Sequence, residues 1–491
     1  MTEPIASTTA GKVRGLTREG VHVFRSIPYA APPVGPLRFR APVPPEPWSD
    51  VRDATKFGPV APQNPSPLET MMGAAAPVID ERDSLSLTVF TPALDGARRP
   101  VLFWIHGGAF VIGAGSTPIY DGTRFCQHGD VVVVSINYRL GTFGFLHLEQ
   151  IFGEEFAGSG NAGILDQVLA LQWVRDNIES FGGDPDQVTI FGESAGGMSV
   201  GTLLGMPAAQ GLFARAIVQS GGGSFVATSD AATAIAREVL AIAEVETVAE
   251  LEAVSMETLL AAQTKVAATA ASADLPFLPV VDGTTLPQRP IDAVRDGLGA
   301  VPTLIGTTRD EMTLFTVLDL GVGEINPDLV IAALTKSFGD RAEAVQATYA
   351  EIFPDASPMD LLVATATDRV FRVPAIRLAE AGIDTRPTFM YLFTWETPVF
   401  DGKLKSCHAL ELPFMWDALD RPGLSMLTGD GPERQAIADA MHAAWIRFAR
   451  TGDPGWPAYD LDRRATQRFD TVLEVLDDPM SAQRELWSEF D

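Results

Sequence analysis

Val188-Thr189-Ile190-Phe191-Gly192-Glu193-Ser194-Ala195-Gly196-Gly197 is the stretch on which the fold turns. An apolar run of strand type enters a tight turn flanked by glycines and leaves as a helix, a context that holds a serine hydroxyl clear of its neighbours. Small residues are needed on both sides because such a turn is strained and crowded. A bare Gly-x-Ser-x-Gly is also an ordinary glycine-rich turn, so the surrounding chain has to decide.

Working outward, short apolar runs alternate with helical patterns, which predicts an α/β fold: a central, mostly parallel sheet flanked by helices. The expected strands are Val101–Ile105, Val131–Ile136, Val188–Phe191, Ala216–Val218, Pro302–Gly306 and Phe389–Thr394. Between the second and third, Ile164, Val168, Leu171, Val174 and Ile178 form one helical stripe stopped by Gly182-Gly183, a βαβ crossover. The proline-crowded segment Ile27–Trp48 excludes helix, and its interleaved Tyr29, Leu37, Phe39 and Trp48 predict a strap packed on the domain. Ala- and Glu-rich stretches at about 228–265 and 327–381 predict helical insertions into one domain spanning 1–491. A last helix over Pro432–Arg450 puts Ile437, Met441, Trp445 and Phe448 on one face.

The same chain carries the other parts that an activated serine needs. The strand Val101–Ile105 opens into His106-Gly107-Gly108-Ala109-Phe110, where backbone N–H groups free of bulky side chains can face a developing oxyanion. Gly107, Gly108 and Ala195 are the candidate donors. In this fold the partners follow the serine in the order acid, then histidine. Only His408 and His442 of the six histidines follow Ser194. His442 lies inside the last helix, where packing explains it, whereas His408 lies in a loop after a strand and is the candidate base. Asp310 and Glu311, after the Pro302–Gly306 strand, both qualify as the acid that fixes the imidazole, and position alone does not choose between them.

Composition narrows the classes. At 491 residues and 46% hydrophobic, the chain can bury a large core. Its net charge of −27 excludes partners recognised through phosphate neutralisation, so neither nucleic acid nor an anionic membrane surface is expected. The first residues lack the pattern of a signal peptide and no run is long enough to span a bilayer, which predicts a cytoplasmic protein. Cys126 and Cys407 are too few for a disulfide framework and have no metal-ligand spacing. No metal and no cofactor are expected. The partners are an ester substrate and water, with no oligomeric state implied.

Phe24–Phe39, His106–Phe110, Gly192–Gly197 and His408-Ala409-Leu410-Glu411-Leu412-Pro413-Phe414 together resemble the type-B carboxylesterase (cholinesterase-like) family, nearest its bacterial para-nitrobenzyl esterases. The resemblance spans nearly the whole chain and implies an α/β-hydrolase fold, a serine carboxylesterase and a Ser-Glu-His triad with Glu311 as the acid. It places Ser220 near that acid, and Glu193 and Ser220 are taken as support for the triad. It also implies that Leu275 and Phe277 border the acyl side of a mainly apolar pocket, joined by Phe110, Leu314, Phe315 and Phe371. Family members serving as adhesion modules typically lack a working triad, while amide, carbamate or polyester hydrolysis would use the same residues. Where secreted members close a loop with a disulfide, this chain has Ala61 and Ser84, and Arg82 and Met312 are further departures. From Ala61 to Ser84 there is no Trp, Tyr or Phe to seat a quaternary ammonium. Choline esters are therefore expected to be poor substrates, with Met71 and Met72 forming an adaptable apolar wall instead.

Overall fold

The computed structural model describes residues 3–66, 77–269, 275–320 and 327–490. Among them, eleven strands join in one sheet: β1 Leu16–Arg18, β2 Val21–Pro28, β3 Ser86–Thr91, β4 Arg99–Ile105, β5 Val132–Ile136, β6 Gly183–Glu193, β7 Arg215–Gln219, β8 Thr303–Thr308, β9 Thr388–Phe393, β10 Ala465–Phe469 and β11 Glu474–Asp477. Their order is β1-β2-β3-β5-β4-β6-β7-β8-β9-β10-β11. Strands from β5 to β10 are parallel, and antiparallel pairs close both edges. Each expected strand is present within a few residues of its anticipated ends. The antiparallel edge strands were not anticipated, because they carry no crossover helix to mark them.

Both faces of the sheet are covered, as a parallel sheet requires. Alternate residues of a strand feed opposite cores: Val101, Phe103 and Ile105 belong to one, Leu102 and Trp104 to the other. The crossover helix α1, Ala162–Asn177, is buried almost all round and gives way to a short 3₁₀ turn that ends at left-handed Gly182. The helix α2, Ala195–Leu204, starts directly from the end of β6. Of the two Ala- and Glu-rich stretches, the first carries the helices Ser229–Ile242, Val248–Ala253 and Met256–Thr269. Pro327–Phe338, Ala342–Ile352, Pro358–Thr367 and Val373–Ala381 make up the second. The proline-rich strap packs through Tyr29 and Phe39, both buried, and the Tyr29 hydroxyl donates to the Asn137 carbonyl at 2.7 Å. No helix among the described residues is long and apolar enough to cross a membrane.

The registers align the carboxyl ends of five neighbouring strands. Ile105 pairs with Gly192, Gln219 with both Glu193 and Gly306, and Thr308 with Phe393. Open α/β sheets place their ligand sites at such ends. His106, Ser194, Ser220 and Glu311 all follow within a few residues.

Candidate active site

Ser194 sits between β6 and α2 with φ 57° and ψ −125°, a conformation that costs an L-residue about 1–3 kcal/mol and persists only where the surroundings enforce it. The enforcement is steric. A Cβ on Gly192 would stand 2.6 Å from Gly196, and one on Gly196 would stand 2.0 Å from the Ile105 carbonyl oxygen. The Ser194 N–H donates to the Gln219 carbonyl at 3.0 Å, which ties the turn to β7. Ser194 is half-buried between fully buried neighbours.

The glycine turn after β4 lies against this serine. A Cβ on Gly107 would come within 3.1 Å of the Ser194 Cβ, and Gly108 has φ 107° with its missing Cβ 2.2 Å from the Ile112 carbonyl oxygen. Among the described residues, the backbone N–H groups of Gly107, Gly108 and Ala195 donate to no protein acceptor. His106 fixes the turn from behind. Burial pushes its imidazole down to about 4, and the neutral ring donates from Nδ1 to the Gly107 carbonyl at 2.8 Å while stacking on Tyr138 at 4.5 Å.

The structure separates the two candidate acids. Glu311 is wholly buried, and its Oε2 accepts from His408 Nδ1 at 2.6 Å. Its Oε1 accepts from the Ser220 hydroxyl at 2.6 Å and the Thr308 N–H at 2.8 Å. Asp310 turns away to Arg309 and to the Ser406 N–H. The proton on Nδ1 leaves a lone pair on His408 Nε2. There Glu193 Oε1 lies 3.0 Å away, close but without an aligned hydrogen bond. Among the described residues no hydrogen bond joins Ser194 Oγ to Nε2, a contact that often tightens only when substrate is bound.

Two aromatic rings brace the imidazole: Phe371 at 4.7 Å and Phe315 at 5.0 Å between centroids. Leu314, expected beside them, packs instead in the core on the other side of the sheet. Successive residues of the helix Thr313–Leu320 point about 100° apart, so Leu314 and Phe315 do not share a face. Phe110 is fully buried, edge-on to Phe145 at 5.0 Å. Phe277 is buried and Leu275 half-buried against the same core. Met312 is buried, and its N–H donates to Thr367. Met71 and Met72 lie outside the described residues. His442 packs as anticipated, with its ring bonded to the Met415 carbonyl at 2.9 Å.

Sequence reasoning missed a buried polar group behind the acid. Trp445 Nε1 donates to Gln219 Oε1 and Gln219 Nε2 donates to Glu411 Oε1, each at 3.1 Å. The available signals were adjacency, since Gln219 precedes Ser220 and Glu411 lies one turn beyond His408.

Sheet topology and the serine turn define the class, an α/β-hydrolase. The profile of the Carboxylesterase family matches residues 2–487. The para-nitrobenzyl esterase of Bacillus subtilis (strain 168) is 43% identical, covering 99% of this chain and 98% of the relative. The phenmedipham hydrolase of Pseudarthrobacter oxydans is 37% identical over the same shares. Among solved structures, a carboxylesterase of Geobacillus stearothermophilus superposes with a TM-score of 0.89 at 44% identity, covering 98% of this chain and 99% of that one. The chain belongs to the Carboxylesterase family and is a carboxylic ester hydrolase.

Proposed function

We propose that the chain hydrolyses small to medium apolar carboxylic esters through an acyl-enzyme on Ser194, with His408 as general base and Glu311 as the acid that orients it. The observation that carries this reading is the 2.6 Å contact from His408 Nδ1 to Glu311 Oε2 at the carboxyl ends of the central strands, where the strained Ser194 also sits. His408 takes the Ser194 proton as the hydroxyl attacks the carbonyl, and Gly107, Gly108 and Ala195 donate to the oxyanion. His408 returns the proton to the leaving alcohol. Water then attacks the acyl carbonyl through the same histidine, and Ser194 leaves with the proton.

Phe315 and Phe371 supply apolar surface against the imidazole, which supports the preference for apolar acyl or alcohol groups. The two cysteines, free and buried, support an intracellular home. We treat the chain as one catalytic unit whose helical insertions bring Phe371 to the histidine.

Ser194→Ala should abolish hydrolysis of para-nitrophenyl esters, by about 10⁶-fold as for other serine triads. Full activity in the purified variant would end this reading. A chain-length panel of esters beside acetylthiocholine, an amide and a carbamate sets the substrate class, with acetylthiocholine expected to be among the poorest.

A further inference from the structure

Three carboxyl side chains are buried together beneath the site: Glu193, Glu311 and Glu411, at 3%, 0% and 0% exposure. Among the described residues none of them pairs with Lys or Arg, and His408 is the single cationisable partner in the group. Three buried carboxylates against at most one imidazolium are untenable, because unpaired charges in a low-dielectric interior take up protons instead. The protons therefore have to be assigned. Three donors converge on Glu311, and Glu193 and Glu411 have no comparable set.

Gln219 identifies the oxygen of Glu411 that is free to carry a proton. An indole N–H only donates, so the Gln219 atom facing Trp445 is Oε1, and its amide nitrogen must face Glu411 Oε1. Glu411 Oε2 is left buried with no partner. We propose that Glu411 is a positioning residue of the triad, kept as the neutral acid with its proton on Oε2, so that the single negative charge beneath His408 belongs to Glu311. This rests on the triad proposed above. Ionising Glu411 would put a second carboxylate beneath the imidazole and compete with Glu311 for its proton and its orientation.

The groups facing Glu411 agree with this assignment. Burial first, then the neighbouring Glu193 and Glu311 carboxyls, push Glu411 up to about 8, against a smaller opposing pull from His408. Burial and Glu311 likewise hold Glu193 well above the usual carboxylate range. Burial raises the Tyr391 phenol and the Cys407 thiol far enough that both stay protonated where Glu411 titrates.

The test is the pH dependence of kcat/KM for a para-nitrophenyl ester, with infrared spectra of the same enzyme over the same range. Wild-type enzyme should lose kcat/KM above about pH 8, approaching tenfold per pH unit. A protonated-carboxyl C=O band should disappear with the same midpoint. Glu411→Gln should lose both the alkaline limb and that band. Gln219→Leu, which removes a donor that favours the ionised form, should move the limb to higher pH. A wild-type limb unchanged in Glu411→Gln, or a wild-type spectrum with no carboxyl band titrating in this range, would overturn the proposal. The infrared titration needs neither a variant nor turnover, so it stays informative if Glu411→Gln misfolds. It also separates this proposal from failure of the triad, which Ser194→Ala tests by activity alone.

Discussion

The two halves of the site are built by opposite means. Around Ser194 the work is done by missing side chains: Gly107, Gly108, Gly192 and Gly196 let three segments of backbone meet at distances no Cβ would permit. Around His408 it is done by side chains, with Glu311, Ser220, Phe315 and Phe371 filling the space and fixing the ring. In the proposed mechanism the first half is a rigid template for a developing charge. The second then holds and moves one proton. A template tolerates almost no added atom, whereas a proton-handling cluster is sensitive to charge more than to volume.

The sharpest way to break this contrast is an isosteric change of charge. Glu311→Gln should lower kcat by about 10⁴-fold with little change in fold, as when a triad acid can no longer hold the productive tautomer. Asp310→Asn, one residue away and bonded elsewhere, should stay within about threefold, because its carboxylate does not face the imidazole. Equal losses in the two would remove the distinction between them. On the template side, Gly108→Ala adds a single methyl and should cost about 10²–10³-fold in kcat, the typical penalty for one oxyanion donor. KM for a short ester should move far less. A smaller loss than at Gly108 is expected from Ser220→Ala, which removes one of three donors to a buried carboxylate. A loss of about 1.5–3 kcal/mol, or roughly 10–100-fold in kcat/KM, matches a hydrogen bond to a charged group. Substitution by Thr, which keeps the hydroxyl, should recover part of it.

The contrast also explains what can be read from the chain. Backbone crowding is local, so it writes itself as glycine patterns: Gly192-Glu193-Ser194-Ala195-Gly196 and His106-Gly107-Gly108 are legible in the linear order of residues. The strand runs Val101–Ile105 and Val188–Phe191 are legible for a similar reason, since burial on both faces leaves a continuous apolar run. Side-chain clusters are not local. Asp310 and Glu311 are equivalent by position, and the family resemblance chooses Glu311 by analogy. Leu314 and Phe315 look interchangeable in sequence, yet the turn of the helix sends them to opposite sides of the sheet.

The sequence by itself determined the fold class, the serine turn with its glycine neighbours, and a single histidine in the right order and kind of segment. Periodicity, steric need and chain order act over a few residues or along one direction, and a linear text carries them. Only the tertiary structure decided which carboxylate faces the imidazole, that Glu193 stands 3.0 Å from its other nitrogen, and that Gln219, Trp445 and Glu411 form a polar group beneath it. Those facts depend on segments up to 226 residues apart, brought together by the register of β6, β7, β8 and β9. Protonation in such a cluster is set by what is buried together, which no stretch of the chain states alone.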